Sequence, residues 1–275
     1  MRAVAYRILG SVTEADDAVQ EAWLRLQRTE PEQIDSLEAW LTTVVARISL
    51  NVLRSRRSRA EQPLDGFIPE PIVDDPALGA DPEHEALLAD SVGIALQVVL
   101  DTLNPAERLA FVLHDMFAVP FDEIAPMVER SAEATRQLAS RARRRVREAA
   151  PAPDPDLTRQ QAVVDAYFAA AREGDLEALV AVLDPDVVLR AHRRDGDPIE
   201  LHGAARVARG AMTARRFAPF VRRALINGAA GVVALDGERP FAVLAFTVAG
   251  DRAVAIDVFN DPELVARLDI RGIIA

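Results

Sequence analysis

Arginine supplies all the basic side chains of this 275-residue chain, whose 32 Lys and Arg residues include no lysine. A guanidinium group is a rigid, forked donor that suits the paired oxygens of a phosphate. Two stretches without acidic residues concentrate these groups. The first stretch contains Arg47, Arg54, Arg56, Arg57 and Arg59, and the second contains Arg136, Arg141, Arg143, Arg144, Arg145 and Arg147. Both stretches are therefore candidate contacts to a nucleic-acid backbone.

Carboxylates and imidazoles in the last third of the chain could instead perform general acid–base chemistry. The candidates are Asp186, His192, Asp195, His202 and Asp257. Such residues near turns are more often solvated or capping, so an enzyme is not the main prediction. The four histidines lack the spacing of a metal site, and the absence of cysteine excludes a Cys-rich zinc site. We expect no metal and no cofactor.

The net charge of −11 by itself argues against a DNA-binding protein. Most of that charge, however, lies between residues 61 and 90, which contain nine acidic residues and no arginine. Five prolines interrupt helix formation in the same segment. They are Pro63, Pro69, Pro71, Pro76 and Pro82. The segment therefore predicts an acidic linker, and the regions on either side of it are near neutral.

Length and composition predict a globular protein with two or three cores, because domains usually have about 100–200 residues. Apolar residues make up 50% of the chain and charged residues 27%, which is enough apolar material for real cores. The first residues lack the apolar core of a signal peptide, and no apolar run approaches the roughly 18 residues that span a membrane. The expected location is the cytoplasm, with no membrane partner.

Two capping boxes predict helix starts in the first 60 residues. Thr13-Glu-Ala-Asp16 opens a helix whose apolar positions recur at helical spacing as far as Leu26, and Asp35-Ser-Leu-Glu38 opens a longer one. The apolar stripe of the longer helix consists of Leu37, Trp40, Leu41, Val44, Val45, Ile48 and Val52, while Arg47, Asn51, Arg54 and Ser58 form another face. Trp23 and Trp40 are expected in the core first and against a partner second.

The residues from 91 to 150 predict more helix and end in a possible helix-turn-helix. Asn104 can cap a helix that begins at Pro105. A short helix from Phe121 to Val128, a turn, and a helix from about Ala132 to Glu148 have the spacing of a DNA-reading pair. The alternative, that the arginines form a solvated helix end, is equally consistent with this segment alone.

The last third of the chain mixes helical and strand-like patterns, which predicts an α+β domain. Helical patterns at 158–173, 175–183 and 203–215 accompany a strand at 187–192. Further strands are expected at 217–226, 231–235, 241–249 and 252–259, with turns at Gly237 and Gly250. A curved sheet of this kind can wrap around a helix and enclose a pocket.

Several of these segments resemble extracytoplasmic-function sigma factors. Three of them resemble region 2: Ala5–Ser11, Asp16–Trp23 and Ala39–Arg47. Three others resemble region 4: Leu103–Arg108, Phe121–Ala125 and Arg136–Arg144. The last third is similar to a SnoaL-like domain of the nuclear-transport-factor-2 superfamily. Phe67-Ile-Pro-Glu-Pro71 corresponds to a short signature of the sigma J type, which carries such an extension.

The resemblance implies a multidomain fold and a function in promoter-specific transcription initiation. Two all-α sigma domains, region 2 (1–60) and region 4 (91–150), would precede a SnoaL-like α+β domain (158–275), with linkers at 61–90 and 151–157. The partners implied are the β′ and β subunits of core RNA polymerase and promoter DNA. The extension would modulate initiation. Alternatively, it would act as a ligand sensor with a small-molecule ligand, or as an isomerase or cyclase.

The resemblance also implies roles for individual residues. Polymerase binding is implied for Asp16, Asp17, Gln20, Glu21 and Trp23. Contacts with the minus-10 element are implied for Trp40, Arg47, Asn51, Arg54 and Arg57, and contacts with the minus-35 element for Arg136, Gln137, Ser140, Arg141, Arg143 and Arg144. Regulatory contacts between domains are expected for Phe67, Ile68, Pro69, Glu70, Pro71, Asp195, Gly196 and Asn260.

Some positions depart from the family pattern. The family's first helix usually begins some residues before the position of Met1, so we expect region 2 to lack part of its packing. Pro126 removes a backbone hydrogen bond from the first helix of the helix-turn-helix, at a cost of about 3 kcal/mol inside a helix. Glu129 occupies a turn position where the family commonly has glycine, and its Cβ resists a positive φ.

Overall fold

The computed structural model describes residues 1–30, 34–60, 68–77, 93–149, 154–192 and 199–274. The chain forms two compact units, and each is built from two separate stretches of sequence. The first unit combines Met1–Pro63 with Leu96–Ala150, and the second combines Leu64–Ala95 with Pro151–Ala275. None of the described helices is both long enough and apolar enough to cross a membrane.

The first unit is helical. Its helices are α1 (Arg2–Leu9), α2 (Val12–Leu26), α3 (Leu37–Ala60), α4 (Gly93–Asp101), α5 (Pro105–Phe111), α6 (Phe121–Val128) and α7 (Ala132–Ala149), and α5 continues into a π-helical turn, Val112–Met116. Asn104 caps α5 through its side chain, as predicted, and Pro105 occupies the first turn. The caps predicted for α2 and α3 were displaced. Ser11, rather than Thr13, accepts the Glu14 amide, and Ser36 accepts the Ala39 amide.

The core of the first unit lies where α1 and α2 pack against α3, and where α5 packs against α7. Helix α3 buries a different face from the one predicted. Val45, Ala46, Leu50 and Leu53 are buried, whereas Leu37 is 51% exposed. The sequence places apolar residues on more than one side of α3, so contacts with α1, α2 and α5, not periodicity, decide which side is buried.

The second unit contains a seven-stranded sheet in the order β1-β4-β5-β6-β7-β2-β3. Its strands are β1 (Val73–Asp74), β2 (Leu183–His192), β3 (Ile199–His202), β4 (Val221–Ile226), β5 (Ala229–Asp236), β6 (Arg239–Ala249) and β7 (Arg252–Phe259). Its helices are α8 (Leu157–Glu173), α9 (Leu176–Ala181), α10 (Ala204–Ala214), α11 (Pro262–Arg267) and α12 (Arg271–Ile274). The pairs are antiparallel apart from β2 with β7. The predicted order of helical regions followed by an α+β domain is confirmed.

Helices α8, α9 and α10 share a core with one face of this sheet, which contributes Val232, Phe246, Val248 and Ile256. The strand predicted at 217–226 begins only at Val221, because Arg215–Phe220 forms a 3₁₀ helix that contains Pro219. A proline lacks the amide that a sheet ladder needs. Strands β1 and β3 and helices α11 and α12 were not predicted from the sequence.

Part of the segment predicted as linker belongs to the sheet of the second unit. Val73 and Asp74 pair with Ile226 and Leu225 at the edge of β4. The partner strand lies more than 150 residues further along the chain, so local sequence patterns gave no signal for this pairing. The described part of the linker is therefore anchored rather than free.

Candidate nucleic-acid interface

The residues implied in minus-10 contacts line one side of α3. Arg47, Asn51, Arg54 and Arg57 are exposed, and Trp40 at the start of the helix is half-buried. Their spacing of three, four and seven residues keeps them on neighbouring turns of one helical face. The structure thus brings the predicted set together as a stripe that phosphates and bases can reach.

Arg56 does not belong to this stripe. Its Nη1 atom donates to the Leu9 carbonyl oxygen at 2.8 Å, and its guanidinium pairs with Glu14. Arg56 therefore joins α3 to α1 and α2, and it supports the stripe instead of extending it. The side chain of Arg59 lies outside the described residues.

Arg54 also contacts the turn of the helix-turn-helix. Its Nη1 atom lies 3.5 Å from Oε1 of Glu129, and both side chains are exposed. Helix α3 packs against α6 in this region, so the pair lies at a genuine contact between two helices of the first unit. An arginine held by a carboxylate is a weaker phosphate ligand, because the pair must be broken before DNA binds.

Helices α6 and α7 form the predicted helix-turn-helix, with the predicted bounds to within one residue. Pro126 is exposed inside α6 and does not end it. Glu129 closes α6 in the left-handed conformation at φ 57°, which costs a residue with a Cβ about 1–2 kcal/mol. The side chain of Ser131 then accepts the Ala134 amide at the start of α7.

The residues implied in minus-35 contacts divide into two groups on α7. Arg136, Gln137, Ser140 and Arg144 are exposed and have no side-chain ion pair among the described residues. The guanidinium of Arg136 lies over the Phe121 ring, 5.4 Å from its centroid. A shallow groove of about 350 Å³ runs beside Ser140 and Arg144. These exposed residues form the face that could enter a DNA groove.

Arg141 and Arg143, the second group, are held by acidic residues. Arg141 donates to Glu107 at 2.9 Å, and Arg143 donates to Asp115 at 2.7 Å. Glu107 also pairs with Arg145 at 3.3 Å. Part of the arginine cluster therefore braces α7 against α5 and the π-helical turn that follows it. Glu107 and Asp115 were not predicted from the sequence.

Arg108, a buried residue of α5, connects that helix to the end of α4. Its side chain is 2% exposed and donates to Asp101 at 2.6 Å. Burial lowers the pKa of Arg108, and the Asp101 carboxylate opposes that shift. The segment Leu103–Arg108, which carried the resemblance, thus supplies the cap of α5, a brace between α5 and α7 through Glu107, and an ion pair with α4 through Arg108.

The residues implied in polymerase binding share an exposed surface on α2. Asp16, Asp17, Gln20 and Glu21 are exposed there, with Asp16 paired to Arg2 and Glu21 paired to Arg25. Trp23 is 58% exposed, so the expectation that it lies in the core is wrong. The core of this region is formed by smaller residues of α2, which leaves the indole available to a partner.

The described linker residues pack into the second unit. Pro69 and Pro71 are buried, and Ile68 and Glu70 are half-buried. Asn227, in the turn between β4 and β5, forms two hydrogen bonds with Ile72, the residue that follows Pro71. Its side-chain oxygen accepts the Ile72 amide at 2.9 Å, and its backbone amide donates to the Ile72 carbonyl at 2.8 Å.

The remaining regulatory predictions are only partly placed. Asn260 is exposed between β7 and α11. Phe67, Asp195 and Gly196 lie outside the described residues. Asn227 was not among the predicted residues, although Asn227-Gly228 is the dipeptide that favours a tight hairpin turn and could have been noticed.

The candidate acid–base residues of the second unit do not share one pocket. His192 contacts Asp257 at 2.9 Å, but both project from the sheet face opposite to Ile256 and Phe246, which pack on the helices. Asp186 and His202 are exposed, and Asp195 lies outside the described residues. Within the described ranges, no group of three potential ligands could hold a metal ion.

Comparison with known proteins gives consistent matches. Residues 1–59 match the family "Sigma-70 region 2", and residues 94–146 match "Sigma-70, region 4". The chain is 39% identical to the ECF RNA polymerase sigma factor SigJ of Mycobacterium tuberculosis, over 94% of this chain and 88% of SigJ. It is 37% identical to the probable ECF RNA polymerase sigma factor SigI of the same species, over 74% of this chain and 69% of SigI.

A solved structure extends the similarity to the whole fold. The crystal structure of the extracytoplasmic function sigma factor SigJ of M. tuberculosis superposes with a TM-score of 0.77 at 36% identity. The match covers 96% of this chain and 93% of that one, so it includes the helical unit and the sheet.

Proposed function

This chain belongs to the extracytoplasmic-function RNA polymerase sigma factors, and on that premise we propose that its second unit regulates initiation by holding the linker between regions 2 and 4. Sigma factors bind core RNA polymerase and promoter DNA. We further propose that the acidic α2 surface binds the β′ subunit, that region 4 reaches the β subunit, and that the protein works in the cytoplasm. The α3 stripe and the exposed α7 face would bind the minus-10 and minus-35 elements.

The attachment of the linker to the sheet supports this proposal. Ile72 is buried and bonded at two points to Asn227, and the next two residues form β1 beside β4. A segment held in this way restricts the motion of both helical regions that it connects. Breaking the attachment would leave the buried Ile72 amide without its acceptor, which costs about 1–3 kcal/mol.

The contact between Arg54 and Glu129 suggests what the attachment controls. In the first unit, Arg54, for which we propose a minus-10 contact, is paired with Glu129 in the turn that precedes α7. The pair links the two helices proposed to bind DNA and occupies one of their arginines. We propose that it is a resting form, and that polymerase and promoter DNA stabilise a form in which the pair is broken.

Transcription in vitro with core polymerase tests the proposal. We expect Asn227→Gly, which keeps a positive φ but removes the side-chain acceptor, to change promoter output or polymerase affinity by about tenfold. Deletion of residues 158–275 should change output in the same direction. Asp236→Gly also introduces a glycine, at the exposed end of β5 beside the β5–β6 turn, and serves as the control. Unchanged output and unchanged polymerase affinity in both altered proteins would exclude regulation by the second unit.

A further inference from the structure

The second unit contains a strongly basic segment that regulation through the linker does not explain. Between Glu200 and Asp236 the sequence has six arginines and no acidic residue, in a chain whose net charge is −11. The segment covers α10, the 3₁₀ helix and β4. Its charge is therefore concentrated on consecutive elements of one unit, instead of being diluted by neighbouring carboxylates in the sequence.

Two of the six arginines have structural roles. Arg223 binds both carboxylate oxygens of Asp165 in α8, at 3.0 and 2.6 Å. Arg215 packs against the end of α8, where its Nη1 atom lies 3.2 Å from the position that a Cβ on Gly174 would occupy. These two side chains attach the segment to α8, so we do not include them among the residues that could bind a partner.

Of the other four, all exposed, Arg206, Arg209 and Arg216 lie along α10 and the 3₁₀ helix and are called the arginine patch below, whereas Arg222 projects from the sheet face opposite to the helices. Across the described ranges of the chain, no carboxylate forms an ion pair with any of them. On α10 the intervening Val207 and Ala208 are buried, so the arginines occupy the outward face. The patch thus presents three positive charges to solvent.

The placement of Arg206 is unfavourable for folding. It lies in the first turn of α10, where the helix dipole repels a cation and where no acidic residue compensates. A glycine precedes the helix and provides no side-chain cap. The stability of α10 therefore gives no reason for an arginine at this position.

Aromatic rings accompany the patch. Phe220 is 48% exposed at the end of the 3₁₀ helix. Phe217 contacts Phe241 with ring centroids 4.5 Å apart, and the guanidinium of Arg216 lies over the Phe217 ring at 4.5 Å. Arginines combined with an exposed ring are typical of surfaces that follow a nucleic-acid backbone and stack on bases. A surface that binds only a free anion needs no such ring.

We propose that the arginine patch binds the phosphate backbone of DNA, as a third DNA contact in addition to those of regions 2 and 4. Its forked donors suit phosphate oxygens, and the family to which the chain belongs works on promoter DNA. The patch would strengthen promoter binding without reading sequence, since phosphate contacts carry no base information. This inference rests on the sigma-factor family and is independent of whether the second unit regulates the linker.

A salt titration of holoenzyme binding to a fluorescent promoter duplex tests the inference. Arg209→Gln/Arg216→Gln removes two proposed phosphate contacts. We expect the slope of log affinity against log salt concentration to become shallower by about 1.8, from roughly 0.9 per contact. Arg172→Gln/Arg267→Gln changes the net charge equally at exposed positions outside the patch and should leave the slope unchanged.

Two results would overturn the inference. One is equal slopes for the patch variant, the control and the parent protein. The other is unchanged DNA binding with weaker binding to core polymerase, which would assign the patch to a protein partner. Phe220→Ala separates the two forms of DNA: a loss of about fivefold or more on a single strand, with none on duplex, indicates stacking on separated strands. Normal initiation at high protein concentration would show that the sigma function itself is intact.

Discussion

Helices α3 and α7 both carry runs of arginine, but their surroundings differ. On α3, most of the arginines that face outward have no acidic neighbour among the described residues, and only Arg54 meets one. On α7, Arg141, Arg143 and Arg145 are all held by Glu107 or Asp115. Similar sequence patterns therefore produce an open basic face on α3 and a partly neutralised, braced face on α7.

The difference shows that the number of arginines in a helix overestimates the number that are open to a partner such as DNA. In region 4, ion pairs add to the apolar contacts that hold α7 against α5, whereas α3 is held mainly by an apolar face against α1 and α2. Electrostatic bracing should therefore matter more to the stability of region 4 than to that of region 2.

The largest expected effect is that of Asp101→Ala. It removes the partner of a buried guanidinium, and we expect a loss of about 3 kcal/mol in the free energy of unfolding, because a buried charge is left unpaired. Urea denaturation of the full chain, followed by circular dichroism, measures it.

The counterpart in region 2 is Glu14→Ala. Arg56 is less deeply buried than Arg108 and keeps its bond to the Leu9 carbonyl, so the loss should be about 1 kcal/mol. Equal losses from the two substitutions would remove the proposed difference between the regions.

An effect of similar size to that of Glu14→Ala is expected for Glu107→Gln. This substitution keeps the shape of a buried side chain but removes the charge that holds Arg141 and Arg145. Both arginines are about half exposed, so water screens the pairs and the expected loss is about 1 kcal/mol. The unfolding midpoint in urea reports it. Glu133→Gln, an exposed acid in the first turn of α7, is the control, and a loss as large there would indicate a helix-dipole effect instead of bracing.

The smallest effect concerns the one described ion pair between α3 and the turn before α7. Glu129→Gly relieves the left-handed strain but loses the exposed pair with Arg54, and we expect a net gain of about 0.5 kcal/mol. Glu129→Ala loses the pair while keeping the strain, so it should be less stable than the parent. A thermal unfolding series ranks the three proteins. If Glu129→Gly were less stable than Glu129→Ala, the left-handed conformation at this turn would carry no strain.

The sequence was most informative where local patterns determine structure. The bounds of α6 and α7 follow from periodicity and a short turn, and the Asn104 cap followed from one residue and its neighbour Pro105. The face that α3 buries could not be predicted, because residues far along the chain choose between its apolar sides. The exposure of Trp23 was missed for the same reason.

Some candidate site residues were predicted from the sequence, and others were missed. The stripe on α3 and the acidic surface on α2 followed from helical spacing, and the structure keeps each set on one surface. Glu107 and Asn227 were missed because their roles depend on partners 34 and 155 residues away. A motif indicates that such residues matter, but only the folded chain shows which of them touch each other.

The short strand β1 has a consequence for self-association. While Val73 and Asp74 are paired, the end of β4 at Leu225 and Ile226 is covered. An uncovered strand edge offers unpaired amides and carbonyls to any other chain, which is a common route to aggregation. Release of the linker would therefore leave this edge of β4 unpaired at the same time that it frees the helical regions. A second copy of the chain would then compete with β1 for that edge as protein concentration rises.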